Sequence, residues 1–129
     1  MMKLIVAAAA IGAVMLGAAS AQADPAYTGP VVVVVSIPIP PAIPRAAILD
    51  AFNKQSPAFQ ALPELKQKYF TVNDETHRAG GIYLWTNAAA AKAFYSDKWK
   101  SGVQATFGAP AELTWFDAPV IIQGKAGMP

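Results

Sequence analysis

The chain contains no cysteine, and that absence removes several kinds of chemistry at once. Disulfides cannot staple the fold, no thiolate can serve as a nucleophile, and zinc–thiolate sites are excluded. A lipid anchor on a processed cysteine is excluded as well. Stability must come from a packed core or from a partner subunit. Histidine is nearly as scarce. His77 is the only one; it lies in a polar stretch beside Arg78 and reads as exposed and passive. No cluster of potential ligands supports a metal site. Charge is also sparse, at 14% of residues with a formal net charge of +2, and no block of like sign occurs. That pattern favours neither nucleic acid nor an anionic membrane surface as a partner.

Hydrophobic residues, in contrast, make up 54% of the chain, and the N-terminus holds many of them. Met1-Met2-Lys3 is a short basic start, Leu4 to Ala18 carries no polar side chain, and Ala21-Gln22-Ala23 has a small-x-small pattern. This order of features is that of a secretory signal peptide. An uncleaved anchor is the competing reading, but a run of about 15 apolar residues falls short of the roughly 20 that span a bilayer. The expectation is a signal peptide over residues 1–23 and export to the periplasm or the medium. No stable membrane span remains after cleavage. With Lys3 removed from the ten basic residues, nine remain against eight acidic ones. The mature chain is long enough for one domain with a real core.

Residues 24–30 read as a flexible leader, 31–122 as the domain and 123–129 as a loose tail. Val31 to Ile37 is a mostly β-branched run, apolar except for Ser36, expected to be a strand buried on both faces. Pro38, Pro40 and Pro41 stop it. Pro44 suits the first turn of a helix in which Ala46, Leu49 and Phe52, with Ile48 beside them, form an apolar stripe. Pro57 is expected to end or kink that helix, with one more turn over Ala58 to Leu62. Leu65 to Val72 reads as a strand, Asn73 to Thr76 as a turn, and Ala79 to Trp85 as the returning strand of a hairpin. Asn87 can cap an alanine-rich helix to about Tyr95. Ser96 or Asp97 can cap the next helix, where Trp99, Val103 and Phe107 share a face and Gly108-Ala109-Pro110 marks the end. Leu113 to Asp117 is the last clear strand, and Val120-Ile121-Ile122 could extend it.

The resulting order, βαββαβ, predicts an α+β, ferredoxin-like fold with a four-stranded antiparallel sheet. The first and third strands should be central, because both are apolar on both faces, whereas the second and fourth carry Lys66, Lys68 and Glu112. Helices can cover only one face of such a sheet. The other face therefore needs a cover, and a second copy of the chain is the economical one. The expected partner is thus a homodimer through the sheet face.

Ala79-Gly80-Gly81-Ile82-Tyr83-Leu84-Trp85, followed by Ala93-Phe94-Tyr95 and Asp97-Lys98-Trp99, resembles the monooxygenase family of the YdhR type, within the antibiotic-biosynthesis-monooxygenase-like group. The likeness extends to Lys66–Phe70 upstream and to Phe107–Pro110 and Thr114–Asp117 downstream. It spans about Val31 to Ile122. The resemblance implies a dimeric α/β barrel and oxygenation of a small aromatic or polycyclic compound, with no metal and often no organic cofactor; none is expected here.

Chemistry of that kind asks for an apolar, flat-walled pocket with groups that stabilise a substrate anion. Tyr69, Tyr83, Trp85, Tyr95, Trp99 and Trp115 are the candidate lining, since Tyr and Trp add a polar handle to a large apolar body. Tyr83 and Trp85 alternate with Ile82 and Leu84, so both rings should share one face of their strand. Ordinary core packing is the alternative role for each. Asp97 and Tyr83 are the candidate catalytic groups; Asp97 equally suits the first turn of a helix, where the dipole favours negative charge. Of Lys66 and Lys68, one could reach a pocket, but an edge strand more simply leaves both in solvent. Related haem-binding proteins use a histidine of the second helix, and residues 88–107 contain none. Gly80-Gly81 enters a strand rather than opening a helix, so it is no phosphate loop and instead suits a bulge or a close backbone approach. Two functions stand at this point: an exported small-molecule monooxygenase, and a non-catalytic ligand-binding or stress-related dimer of the same fold.

Overall fold

A computed structural model of the chain describes residues 27–127. The expected signal peptide, 1–23, lies outside the described residues. Four strands and three helices follow in the order β1 (Val31–Pro38), α1 (Arg45–Gln60), β2 (Leu65–Asn73), β3 (Arg78–Trp85), α2 (Ala88–Phe94), α3 (Asp97–Phe107) and β4 (Glu112–Asp117). The strands pair antiparallel in the order β2-β3-β1-β4, so the first and third are central.

Strict alternation along β1 assigns the faces. Val31, Val33, Val35 and Ile37 are buried, while Val32, Val34, Ser36 and Pro38 are half-buried. Across the ladder Val33 meets Tyr83 and Val31 meets Trp85. The helices lie on that side, and the opposite face is open. The hairpin between β2 and β3 turns on Asn73, whose Oδ1 accepts from the amides of Glu75 at 2.9 Å and Thr76 at 3.2 Å. His77 closes the turn, exposed and left-handed at φ 57°.

Helix boundaries follow side-chain chemistry. Asn87 accepts from the Ala90 amide at 2.8 Å and Ser96 from the Trp99 amide at 3.2 Å. The hydroxyl of Ser96, not the carboxylate of Asp97, is thus the cap of α3. Gly108 ends that helix at φ 78°, its N–H donating to Gln104 O at 2.8 Å. Helix α1 differs from expectation in two ways. It runs through Pro57 to Gln60. The Ser56 hydroxyl supplies a bond to Phe52 O at 2.8 Å, and the ladder resumes with Ala61 N donating to Pro57 O at 3.2 Å. Its inward stripe is also rotated: Ile48, Phe52 and Phe59 pack on the core, whereas Ala46 and Leu49 face outward.

The core is an aromatic cluster beneath α2. Trp85, Tyr83, Tyr95 and Ala91 are all at most 4% exposed. Neither α1 nor α3 contains a fully buried residue, because both stand off the sheet around a cavity. Beyond Asp117 no described residue is in a helix or strand. Val120–Ile122 therefore does not extend β4: Pro119 has no amide to continue the ladder, and Ala118 N to Pro30 O, 2.9 Å, is the last backbone bond on that side.

Candidate functional site: an aromatic cavity with a lysine in its wall

The space between the sheet and helices α1 and α3 is a cavity of about 810 Å³, within the range that holds a small organic ligand. Val35, Ile37, Ala79 and Tyr83 form its sheet side; Ile48, Phe52 and Phe59 come from α1, and Trp99, Val103 and Phe107 from α3. Trp99, Val103 and Phe107 reach it together because spacings of four residues place them on one helical face.

Two glycines let the sheet come close. A Cβ on Gly80 would lie 2.0 Å from Val35 O, so only glycine fits where β3 approaches β1. A Cβ on Gly81 would lie 2.9 Å from Lys68 Cε, so this glycine leaves room for the lysine stem.

Lys68 enters the cavity because β2 carries a bulge between Leu65 and Gln67. The extra residue reverses the alternation. Leu65 is opposite Trp85, yet Lys68, three positions on, is opposite Tyr83 and on the same face. Its Nζ lies 3.2 Å from the ring centre of Phe59, 3.8 Å from that of Phe70 and 4.4 Å from that of Tyr83. No ion pair among the described residues includes it. Burial lowers its pKa to about 7, since a charged amine is disfavoured where water is excluded. Burial pushes the Tyr83 hydroxyl up, so it stays protonated as a donor.

Below the cavity, Tyr83 stacks on Trp85 with centroids 6.0 Å apart and planes 4° from parallel. Trp85 Nε1 donates to the Tyr95 hydroxyl at 3.2 Å, and burial raises the pKa of that hydroxyl too.

Of the aromatic residues expected to line a pocket, Tyr83 and Trp99 line this one. Trp85 and Tyr95 lie beneath it in the core. Trp115, on the edge strand, packs against Tyr95 at 5.8 Å and stays 38% exposed. Tyr69 lies on the open face, 54% exposed, because the bulge sends Lys68 inward in its place. Asp97 is exposed at the start of α3 and is not part of the lining, although its neighbours Ser96 and Lys98 are. Phenylalanines supply much of the wall instead. Lys68 is the main residue that the sequence pattern undervalued; its alternation with Phe70 and Val72 was the available signal. Among the described residues no group of His, Cys, Asp or Glu is arranged to hold a metal ion.

The same fold occurs in a "putative antibiotic biosynthesis monooxygenase" from Caulobacter crescentus, 18% identical, with a TM-score of 0.54 over 70% of this chain and 91% of that one. The corresponding protein of Bordetella bronchiseptica is 18% identical, with a TM-score of 0.51 over 71% and 99%. The monooxygenase ActVA-Orf6 of Streptomyces coelicolor, solved with nanaomycin D, is 11% identical, with a TM-score of 0.55 over 76% and 94%. No curated protein matches the chain. At these identities the structures establish the fold alone. The sequence goes further: residues 34–114 match the family model "Putative mono-oxygenase ydhR". That segment runs from within β1 through β2, β3 and all three helices to the first half of β4 and holds every residue of the cavity lining, and on that match the chain belongs to the YdhR mono-oxygenase family.

Proposed function

We propose that this protein binds a flat, largely apolar aromatic molecule in the cavity between sheet and helices and oxygenates it without metal or organic cofactor. The observation that carries the reading is the cavity itself, about 810 Å³ with aromatic walls and few polar groups. Family membership and the ligand-bound Streptomyces neighbour support it. Cofactor-free oxygenation needs a substrate that supplies all four electrons. A phenol oxidised to a quinone does so: one oxygen atom enters the product carbonyl and the other leaves as water. A cavity wall bearing an amine and a tyrosine hydroxyl suits a substrate that reacts as its anion.

The reading includes a homodimer through the open sheet face. Ile82 and Phe116 are exposed there, with Val32, Val34 and Leu84 half-buried beside them. At one end Arg78 donates to Ser36 Oγ at 2.7 Å and pairs with Glu112 at 3.1 Å, giving the apolar patch a polar border. Export of the protein, with cleavage after Ala23, is also part of the proposal and rests on the sequence of residues 1–23.

A binding protein without turnover is the second reading. It is favoured by the exposed position of Asp97, which leaves the cavity lining with no carboxylate. Native mass spectrometry of the protein taken from its host's exported fraction tests both. A dimer carrying an aromatic adduct, followed by labelled-oxygen incorporation into that compound, is the expected result. An adduct that consumes no oxygen leaves the binding reading. A protein that takes up no aromatic compound, with the cavity open in solution, overturns both.

A further inference from the structure

Four features of the cavity converge on one side chain. Lys68 alone of the β2 side chains places a cationic group on the cavity wall, and its Nζ is caged by the rings of Phe59, Phe70 and Tyr83. Its stem occupies the space left by Gly81. The bulge in β2 is what turns it inward. The other ionisable groups lining the cavity are Tyr83 from β3 and Lys98 from α3, and none of the lining residues is Asp or Glu.

An amine held among aromatic rings without a carboxylate is an unfinished ion pair. The missing half is an anion, and the surrounding walls demand that the anion be attached to a flat apolar body. From this arrangement we propose that Lys68 is the recognition residue for the ligand, and that the ligand is an aromatic weak acid whose ionised oxygen seats on Lys68 Nζ. This rests on the cavity being the ligand site, as proposed above, and adds the substrate class. The step is a proton transfer only. A phenol O–H gives its proton to the neutral Nζ, leaving an ammonium–phenolate pair; a carboxylate arrives as the anion, and Lys68 takes its proton from solvent. Phenolate or carboxylate, the shared chemistry is one anionic oxygen on an aromatic frame. Burial holds the Lys68 pKa at about 7, so the empty site is largely neutral in mildly alkaline solution and charges as the acid binds.

Calorimetric titration of the purified protein, expressed from the full chain, with 2-naphthoate, 2-naphthol and naphthalene separates the possibilities. The expected result is that at least one acid binds about tenfold or more tightly than naphthalene, as a charge-assisted contact would give. Lys68→Met should bring the acids down to the level of naphthalene while leaving naphthalene itself little changed, and Lys68→Arg should keep the preference. At about pH 8, 2-naphthoate binding should also draw a proton from the buffer, an uptake that vanishes near pH 5.5, where Lys68 is already charged. That readout needs no variant and therefore survives a Lys68→Met protein that fails to fold. Naphthalene binding as tightly as both acids, or a preference that persists in Lys68→Met, overturns the proposal and leaves the cavity reading intact. If none of the three binds, naphthalene included, the cavity reading falls and this inference with it.

Discussion

Lys68 Nζ stands 3.2 Å from the centre of the Phe59 ring and forms no ion pair among the described residues, so the junction of β2 and α1 buries an amine that water would otherwise solvate. The lowered pKa makes this visible in stability. The unfolded chain holds the Lys68 proton up to its ordinary value of 10.5, whereas the folded chain gives it up at about 7. Between those values the unfolded state binds more protons, and stability rises with pH. Below about pH 7 the full cost of burying the charge is present. Lys68→Met should therefore raise the melting temperature most at pH 6, and the gain should shrink steadily toward pH 10. Thermal melts of both proteins across that range check it; a difference independent of pH would place the amine in solvent.

Trp85 is 2% exposed and lies outside the cavity lining, so its role is structural. Trp85→Ala should cost about 3–5 kcal/mol by urea unfolding. Tyr95→Phe should cost about 1–3 kcal/mol, because it leaves a buried indole N–H without an acceptor.

The two glycines Gly80 and Gly102 should respond in opposite directions to the same substitution. Gly80→Ala drives a methyl group to within 2.0 Å of a backbone oxygen, which no side-chain movement can relieve, and should cost more than about 3 kcal/mol. Gly102→Ala meets nothing within 4 Å on α3 and should gain about 0.5–1 kcal/mol. Chemical denaturation of the pair reads both signs.

If the open sheet face joins two copies, sedimentation at micromolar concentration should give twice the monomer mass. The double variant Ile82→Glu/Phe116→Glu places charges at the centre of that face and should sediment as a monomer that keeps its secondary structure. A parent protein that is itself monomeric sinks the dimer.

Much of this architecture was readable from residue pattern. The valine run of β1, the Asn73 turn and the caps at Asn87 and Ser96 are local chemistry, and each stands where the sequence predicts it. Pro38 does not stop β1 but ends it from within, paired with Arg78, and Ile39 N still donates to His77 O at 2.9 Å. The site was less legible. Aromatic residues alone do not distinguish cavity wall from core: Tyr83 and Trp85 share a face, yet only Tyr83 reaches the cavity. The difference lies in how far α1 and α3 stand from the sheet, which no periodicity encodes. Lys68 was obscured by the bulge, since a regular strand from Leu65 would send Gln67 and Tyr69 inward.

That bulge gives β2 an unusual sensitivity to pairing register. Deleting Lys66 would close the bulge while leaving Gln67 opposite Leu84 and Lys68 opposite Tyr83, so the later side chains would keep their faces. Keeping Lys66 but pairing it regularly opposite Leu84 would instead turn Tyr69 to the cavity and send the amine to the proposed subunit contact. One unpaired residue thus decides which of the two surfaces carries the cation.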